Sequence, residues 1–414
     1  MSSLTRLRDL VDIVIGVDTH TTTHTAAIVD AKTGGVLADL TVPATATGYT
    51  ELVDFADEHS DARAWAIEGT SSHGSGLTRL LTEHHELIYE LDRPERAKRR
   101  NGAKSDKTDA IRAAREALSR DQLGTPRATG DRQALAVLLA ARRSAVQAAG
   151  DTARQLISIL IAAPEPLRAQ FAGTTTAAKL ALALTLHPTS GDDTETAITI
   201  TALHALATRH QALTSEAATH QKAIKAIVTA WRPDLLDQHG VGPINAATVL
   251  CAWSHPGRIH DEASFAMLAG VAPIPASSGQ RTRHRLSRGG NRHANAALHR
   301  IVLLRMRHRE PRTMAYFERR RSEQLTDRDI MRCLKRHVAN EIYAALLNPA
   351  TDNPIGRELR ARRQAVGIPI SVLAATLDVP YQRLRRLEIG TRADPELEAR
   401  ATAVLEQISP PLAA

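Results

Sequence analysis

Cysteine is nearly absent: Cys251 and Cys333 are the only two in 414 residues, and neither sits in a metal-ligand spacing. A disulfide framework and a zinc ribbon are excluded, and a reducing compartment is expected. Aromatic residues make up 3% of the chain, too few for a protein that grips single strands mainly by stacking bases. No apolar run approaches the ~20 residues needed to span a bilayer. Arg6, Arg8, Asp9 and Asp12 interrupt the stretch where a signal peptide would lie. A soluble cytoplasmic protein with no membrane partner is expected. Acid is also missing from one long stretch: from Arg281 to Arg309 there are nine arginines and neither Asp nor Glu.

What is present is an ordinary folding composition, 43% apolar and 24% charged, with a formal net charge of +8. The length exceeds what one core supports, so several domains are expected. The positive charge is clustered at Arg93–Lys107, at Arg281–Arg309 and in RELRARR at 357–363. Clustered cations select a polyanion, nucleic acid being the commonest, held mostly through its phosphates.

The chain divides by pattern. VDIVIGVDTH reads as a strand, and TAAIVDAKTGGVLADLTVPA as a hairpin about Lys-Thr-Gly-Gly. TGYTELVDFADEH has helical spacing, ARAWAIEGT is a strand, GLTRLLTEHH a helix and ELIYEL a further strand. A helix follows, with Ser105 as its N-cap and Ile111, Ala114 and Leu118 on one face. These elements make residues 1–130 an α/β domain. Residues 131–230 read as long, partly coiled-coil-like helices broken near 174 and 189, a spacer or dimerisation arm. Residues 231–350 form a helical, turn-rich region, and 355–408 a compact helical tail behind a polar linker.

Four acids stand out. Asp18 and Glu68 each end an apolar strand, and Asp106 and Asp109 are three apart on a helix, hence on one side of it. If the strands are neighbours, all four converge in the order of an RNase H-like layout. Oxygen ligands of this kind suit two Mg²⁺ or Mn²⁺ ions, which clamp the attacking and leaving oxygens of a phosphodiester displacement. Taken singly, each acid is equally a solvated surface carboxylate. Arg99, Arg100 and Lys104 would hold nucleic-acid backbone beside them, since bound cations invert the local charge.

Further on, LLDQHGVGPINAATVL resembles a helix-hairpin-helix whose turn at Gly240 and Gly242 aims backbone N–H groups at a phosphate. PASSGQR sets two hydroxyls beside arginines, which polarise a phosphate for a serine nucleophile. Ser-Ser-Gly is also a common turn sequence.

GVDTH, AIEGTSSHG and DRPERAKRRNGAKSDKTDAIRAA resemble the DEDD-type (RuvC-like) domain of the insertion-sequence "one-ten" family of transposases, the bridge-RNA-guided recombinases. The stretch from Gly240 to Leu298 is similar to that family's second domain, marked by a serine before glycine and a basic Gly-Asn segment, here SRGGNRHANAAL. The resemblance implies an RNase H-like domain followed by mainly α-helical domains. It assigns Asp18, Glu68, Asp106 and Asp109 as catalytic metal ligands and Ser278 as nucleophile, with Ser277 as the alternative. It places Arg281, Arg283, Arg285, Arg288 and Asn291 against nucleic acid. It further implies a phosphoserine link to DNA, a composite site of the two domains between protomers, a homo-oligomer (dimer or tetramer) and a structured guide RNA. Thr19-His20 stands where relatives carry a lysine soon after the first aspartate, and Lys107-Thr108 where they carry Pro-Leu.

The tail, IGRELRARRQAVGIPISVLAATLDVPYQRLRRLEIGTRADPELEARATAVLEQ, resembles a lambda-repressor-like helix-turn-helix. The resemblance makes Pro380–Glu388 the recognition helix, with Gln382, Arg383, Arg385 and Arg386 as contacts. Two alternatives stay open from sequence: a metal-dependent junction-resolving nuclease using the four acids alone, and a non-catalytic DNA-binding regulator using only the tail.

Overall fold

A computed structural model of the chain describes residues 6–91, 105–276, 284–286, 289–349, 354–388 and 394–408. The chain forms two compact units, Met1–Ala128 and Thr129–Ala414.

The first unit is built on strands β1 (Ile13–Thr19), β2 (Thr23–Asp30) and β3 (Val36–Pro43). Helix α1 (Ala46–Asp57), strand β4 (Arg63–Glu68), helix α2 (Ser75–Glu83), strand β5 (Ile88–Leu91) and helix α3 (Asp106–Ser119) follow. The sheet order is β3-β2-β1-β4-β5. The β1–β2 and β2–β3 pairs are antiparallel, and β1–β4 and β4–β5 are parallel. This is the RNase H-like layout: three strands in a meander, then two added by crossover helices.

Side chains alternate across a strand, so each face has its own core. Ile13, Ile15 and Val17 of β1 pack with Trp65 and Ile67 of β4 beneath α1 and α2. Val14, Ala64 and Ala66 face α3, meeting Ala113, Ala114 and Ala117. Where α3 meets the central strands the contacts are made by small residues, and Gly16 shows why. A Cβ there would lie 2.0 Å from the Ala110 carbonyl oxygen and 2.5 Å from the Ala114 nitrogen. Helix backbone therefore rests directly on strand backbone. Ser105 caps α3, accepting a hydrogen bond from the Thr108 N–H, as its position before the apolar spacing predicts. Lys107 pairs with Asp39 at 2.5 Å, and Arg115 donates to the Gly34 carbonyl, tying the helix to the β2–β3 hairpin.

The second unit is helical. It opens with α4 (Asp131–Ala162), α5 (Glu165–Gln170), α6 (Thr176–Ala183) and α7 (Thr194–Trp231). Leu135 and Leu139 of α4 pack with Ile224 and Val228 of α7, and Leu156 and Leu160 pack with Ile200 and Leu203. The two long helices thus run antiparallel between two separate cores. Next come α8 (Pro243–Trp253), α9 (Glu262–Leu268), β6 (Pro273–Pro275), β7 (His284–Leu286), α10 (Arg292–Arg307), α11 (Pro311–Ser322) and α12 (Asp327–Leu347). The tail holds α13 (Pro354–Ala365), α14 (Ile370–Thr376), α15 (Tyr381–Glu388) and α16 (Pro395–Ile408) around its own leucine core. Arg363 of α13 is clamped to Glu388 of α15 through two hydrogen bonds of 2.6 and 2.9 Å, so one arginine of the basic RELRARR run is used internally.

The expected helix-hairpin-helix differs from what forms. Pro233 lacks an N–H and cannot extend α7, and only a short 3-10 turn, Pro233–Asp237, precedes Gly240. Gly240 has φ +81°, and a Cβ there would lie 2.9 Å from the Ile301 carbonyl. Its turn is packed on α10, with Arg305 Nε donating to the His239 carbonyl. Gly242, the N-cap of α8, has open space around its Cα.

The Gly16 contact generates a direct test. Gly16→Ala should lower stability by ~1–3 kcal/mol, the usual cost of overpacking, or more if α3 cannot shift. Thermal unfolding of the variant checks this.

Candidate metal centre and nucleic-acid interface

Asp18 and Gly16 share the α3 face of β1, two residues apart. Glu68 lies on the same face of the parallel neighbour β4, in line with Ala64 and Ala66. Thr19 Oγ1 donates to the Glu68 carbonyl at 2.9 Å and clips the two strand ends together. Beyond Glu68 the chain turns sharply at Gly69, φ +69°, a conformation that glycine adopts without strain. Asp106 and Asp109 occupy the first turn of α3, where carboxylates also complement the helix dipole.

The close seat of α3 on Gly16 brings its N-terminal acids to the end of β1. Asp18, His20 and Asp106 offer ligand atoms all within 4.8 Å of one another. His20 Nε2 lies 3.2 Å from Asp18 Oδ2 and 3.5 Å from Asp106 Oδ1. Glu68 and Asp109 do not belong to this triplet. Asp109 is ion-paired with Arg112 one turn along the helix, and it acts on Asp18 through its charge.

The electrostatics follow from the crowding. Burial pushes the Asp18 carboxyl above the usual carboxylate range. His20 opposes that shift, and the negative charges of Asp109 and Asp106 add to it. An anionic site is being held together against its own repulsion, with His20 standing where a cation would stand. The donor set suits a divalent ion: two carboxylate oxygens and one imidazole nitrogen, at separations close to those around one octahedral ion with bonds of ~2.1 Å. His20 was not among the residues singled out by sequence. Its only signal was its place two residues after Asp18.

Around the serine segment, β6 pairs with β7 antiparallel, Pro275 opposite His284. The chain leaves the segment at Gly290, where a Cβ would lie 2.4 Å from the Gly270 nitrogen. Asn291 N–H donates to the Leu268 carbonyl at 2.6 Å, and the Asn291 side chain caps α10 by accepting from His293 and Ala294. Asn291 thus has a structural task whatever else it contacts. Asn295 donates to the Ala269 and Gly270 carbonyls and accepts from Lys335. Ser277, Ser278, Arg281, Arg283 and Arg288, with Arg99, Arg100 and Lys104, lie outside the described residues. Of Arg285 and Gln382 only the backbone is described.

In the tail, Arg383 pairs with Asp394 at 2.7 Å, and Arg385 with Asp237 at 2.6 Å. Asp237 is almost fully buried, so the Arg385 contact fastens α15 to the 3-10 turn ahead of Gly240. Arg386 lines a polar cleft with Asp234, His239, Arg305 and Glu341.

Two family comparisons bear on this arrangement. Residues 15–163 match a DEDD-type transposase model, described as "Transposase". Residues 234–318 match the "Transposase IS116/IS110/IS902 family". No curated protein matches the chain in sequence. An RNase H-like sheet carrying acids at the ends of its central strands, followed by helical domains, is here the fold of a DNA transposase, an enzyme of DNA recombination. The chain belongs to the IS110 family of DEDD transposases. Dependence on a divalent metal and a DNA substrate come with that membership. Among the described residues no helix is long and apolar enough to cross a membrane.

The raised Asp18 pKa has a defined sign. The folded state holds this proton to higher pH than the unfolded chain does. Its contribution to stability is therefore lost as pH rises from the unfolded value through the raised one. At neutral pH Asp18→Asn should raise the metal-free melting temperature. The same change should abolish the rise that Mn²⁺ gives the wild type, weakening Mn²⁺ binding more than ~100-fold. Melting curves with and without Mn²⁺ check both signs.

Proposed function

We propose that Asp18, Glu68, Asp106 and Asp109 form the metal-holding set of this transposase and that Ser278 is its nucleophile, Ser277 being the alternative. The convergence of Asp18, His20 and Asp106 carries the reading, because three potential ligands with a raised carboxyl pKa mark a site built for a cation. Two Mg²⁺ or Mn²⁺ ions, when bound, supply Lewis-acid polarisation of the phosphodiester and a charge to oppose the developing oxyanion. The acids orient those ions, and Gly16 sets how closely the two aspartates of α3 approach Asp18.

The serine step balances without an external energy source. The Ser278 Oγ–P bond forms as the bond from phosphorus to the leaving DNA oxygen breaks. The hydroxyl proton is lost as the leaving oxygen gains one. Rejoining reverses this with a different DNA hydroxyl, so the ester energy is retained. Arginines of the 281–288 segment hold the phosphate oxygens. Guidance by a structured RNA and assembly as a homo-oligomer complete the proposal, as does the fourfold division at 130, 230 and 350.

A junction-resolving nuclease working through the acids alone would form no protein–DNA bond. A suicide DNA substrate should leave a heat-stable, protease-sensitive adduct with the wild type. That adduct should vanish in Ser278→Ala, and recombination should fall to background in both Ser278→Ala and Asp106→Ala. An adduct persisting in Ser278→Ala but lost in Ser277→Ala moves the role by one residue. Recombination independent of any flanking transcript removes the guide. Full activity of Asp18→Ala would leave only the regulator.

The tail is proposed to read DNA through α15 as a helix-turn-helix. Arg383 and Arg385 are already paired with carboxylates, so binding must exchange those pairs for phosphates or bases. The triple variant Arg383→Ala, Arg385→Ala, Arg386→Ala should lose sequence-dependent footprints at element ends. Unchanged footprints overturn the tail's role.

A further inference from the structure

Several arginines of the second unit have a carboxylate at hand. Arg154 pairs with Asp151, Arg305 and Arg312 with Glu341, Arg321 with Asp327, and Arg332 with Asp329. One group does not. Among the described residues Arg142 of α4 donates only to the neutral amide of Gln221, and it lies close enough to Arg300 of α10 that the two charges oppose each other. Arg143 Nη1 sits 2.8 Å from His293 Nε2. Burial and the charge of Arg143 push the His293 pKa down, so the imidazole is neutral and gives no countercharge. Arg300 and Arg307 have no carboxylate partner among the described residues, and α10 itself contains no acid.

The spacing is regular. His293, Arg300 and Arg307 are seven residues apart, which sets them on one stripe of α10 about 10 Å per step. Arg142 and Arg143 flank its N-terminal half from α4. Cations held together without acids cost stability in the free protein. That cost is recovered when an anion of matching extent lies across them. Among the residues of the stripe there is no Phe, Tyr or Trp on which an unpaired base could stack, which favours a duplex over a single strand. The substrate that the family brings is DNA.

We propose that Arg142, Arg143, Arg300 and Arg307 form a track for the phosphodiester backbone of duplex DNA, independent of base sequence. The track runs along α10, and binding along it does not rest on the proposed nucleophile.

The experiment uses the full chain carrying Asp106→Asn, so that DNA is bound without turnover, and a labelled duplex of arbitrary sequence. Arg142→Gln with Arg300→Gln should weaken binding by roughly 10-fold at moderate salt. It should lower the slope of log K against log salt by about two, one per lost phosphate contact. The loss should be equal for unrelated duplexes, and Arg154→Gln, on the same helix but paired, should change neither quantity. Without DNA the double variant should melt higher than its parent, since a repulsion has been removed. An unchanged slope, or a loss no larger than that of Arg154→Gln, overturns the track. A deficit seen with single-stranded RNA or an RNA duplex but not with DNA overturns the assignment to DNA. Failure of the serine assignment would leave all these binding results standing.

Discussion

The contact between the backbone of β1 and the backbone of α3 at Gly16 is the constraint on which the catalytic unit turns. Nothing larger than a hydrogen fits between strand and helix there. Because Asp18 is two residues along the same face, and Asp106 and Asp109 sit at the near end of the helix, one close approach sets the distances among three carboxylates. Around it the fold is arranged to keep the seat shallow. The facing residues of α3 are alanines, and the helix is moored to the β2–β3 hairpin through Lys107 and Arg115. Thr19 then aligns the end of β4, and Glu68 with it.

Charge is handled differently in the two units. In the first, like charges are gathered and partly answered from within, by His20 between two aspartates and by Arg112 beside a third. In the second, a number of arginines are paired locally with carboxylates, whereas Arg142, Arg143, Arg300 and Arg307 are gathered without one. Local strain of this sort is characteristic of places that await a counterion. The tail illustrates the opposite case, with Arg383 and Arg385 satisfied inside the chain and required to let go before acting on anything else.

Much of this was legible from sequence because the α/β unit obeys period rules without exception. VDIVIGVDTH, the Lys-Thr-Gly-Gly hairpin and ARAWAIEGT became β1, β2–β3 and β4, and Ser105 caps α3 as its position predicts. The strand-end acids could be chosen for the same reason. What sequence could not show was the neighbour relation, since the approach of α3 depends on Gly16, a residue that reads only as a weak point in a strand. His20 was passed over because its role depends on a helix some 85 residues away. Before Gly240 the chain forms a single short 3-10 turn that opens at Pro233, a residue suited to the first position of a helix. At Arg385 the sequence offered an exposed reading-helix cation, whereas burial of Asp237 created a partner for it.

The edges of the sheet carry a last consequence. On one side β5 is closed off, its Glu90 backbone pairing with Gly124 as the chain returns across it. On the other side β3 ends the sheet, with most of its side chains exposed or partly exposed and among the described residues no further strand beyond it. A sheet sealed at one border and open at the other can grow in one direction only. Any extended segment that docks by strand addition would therefore lie along β3, beside the hairpin that moors α3. Such a guest would lie along the strand whose Asp39 is paired with Lys107 of α3.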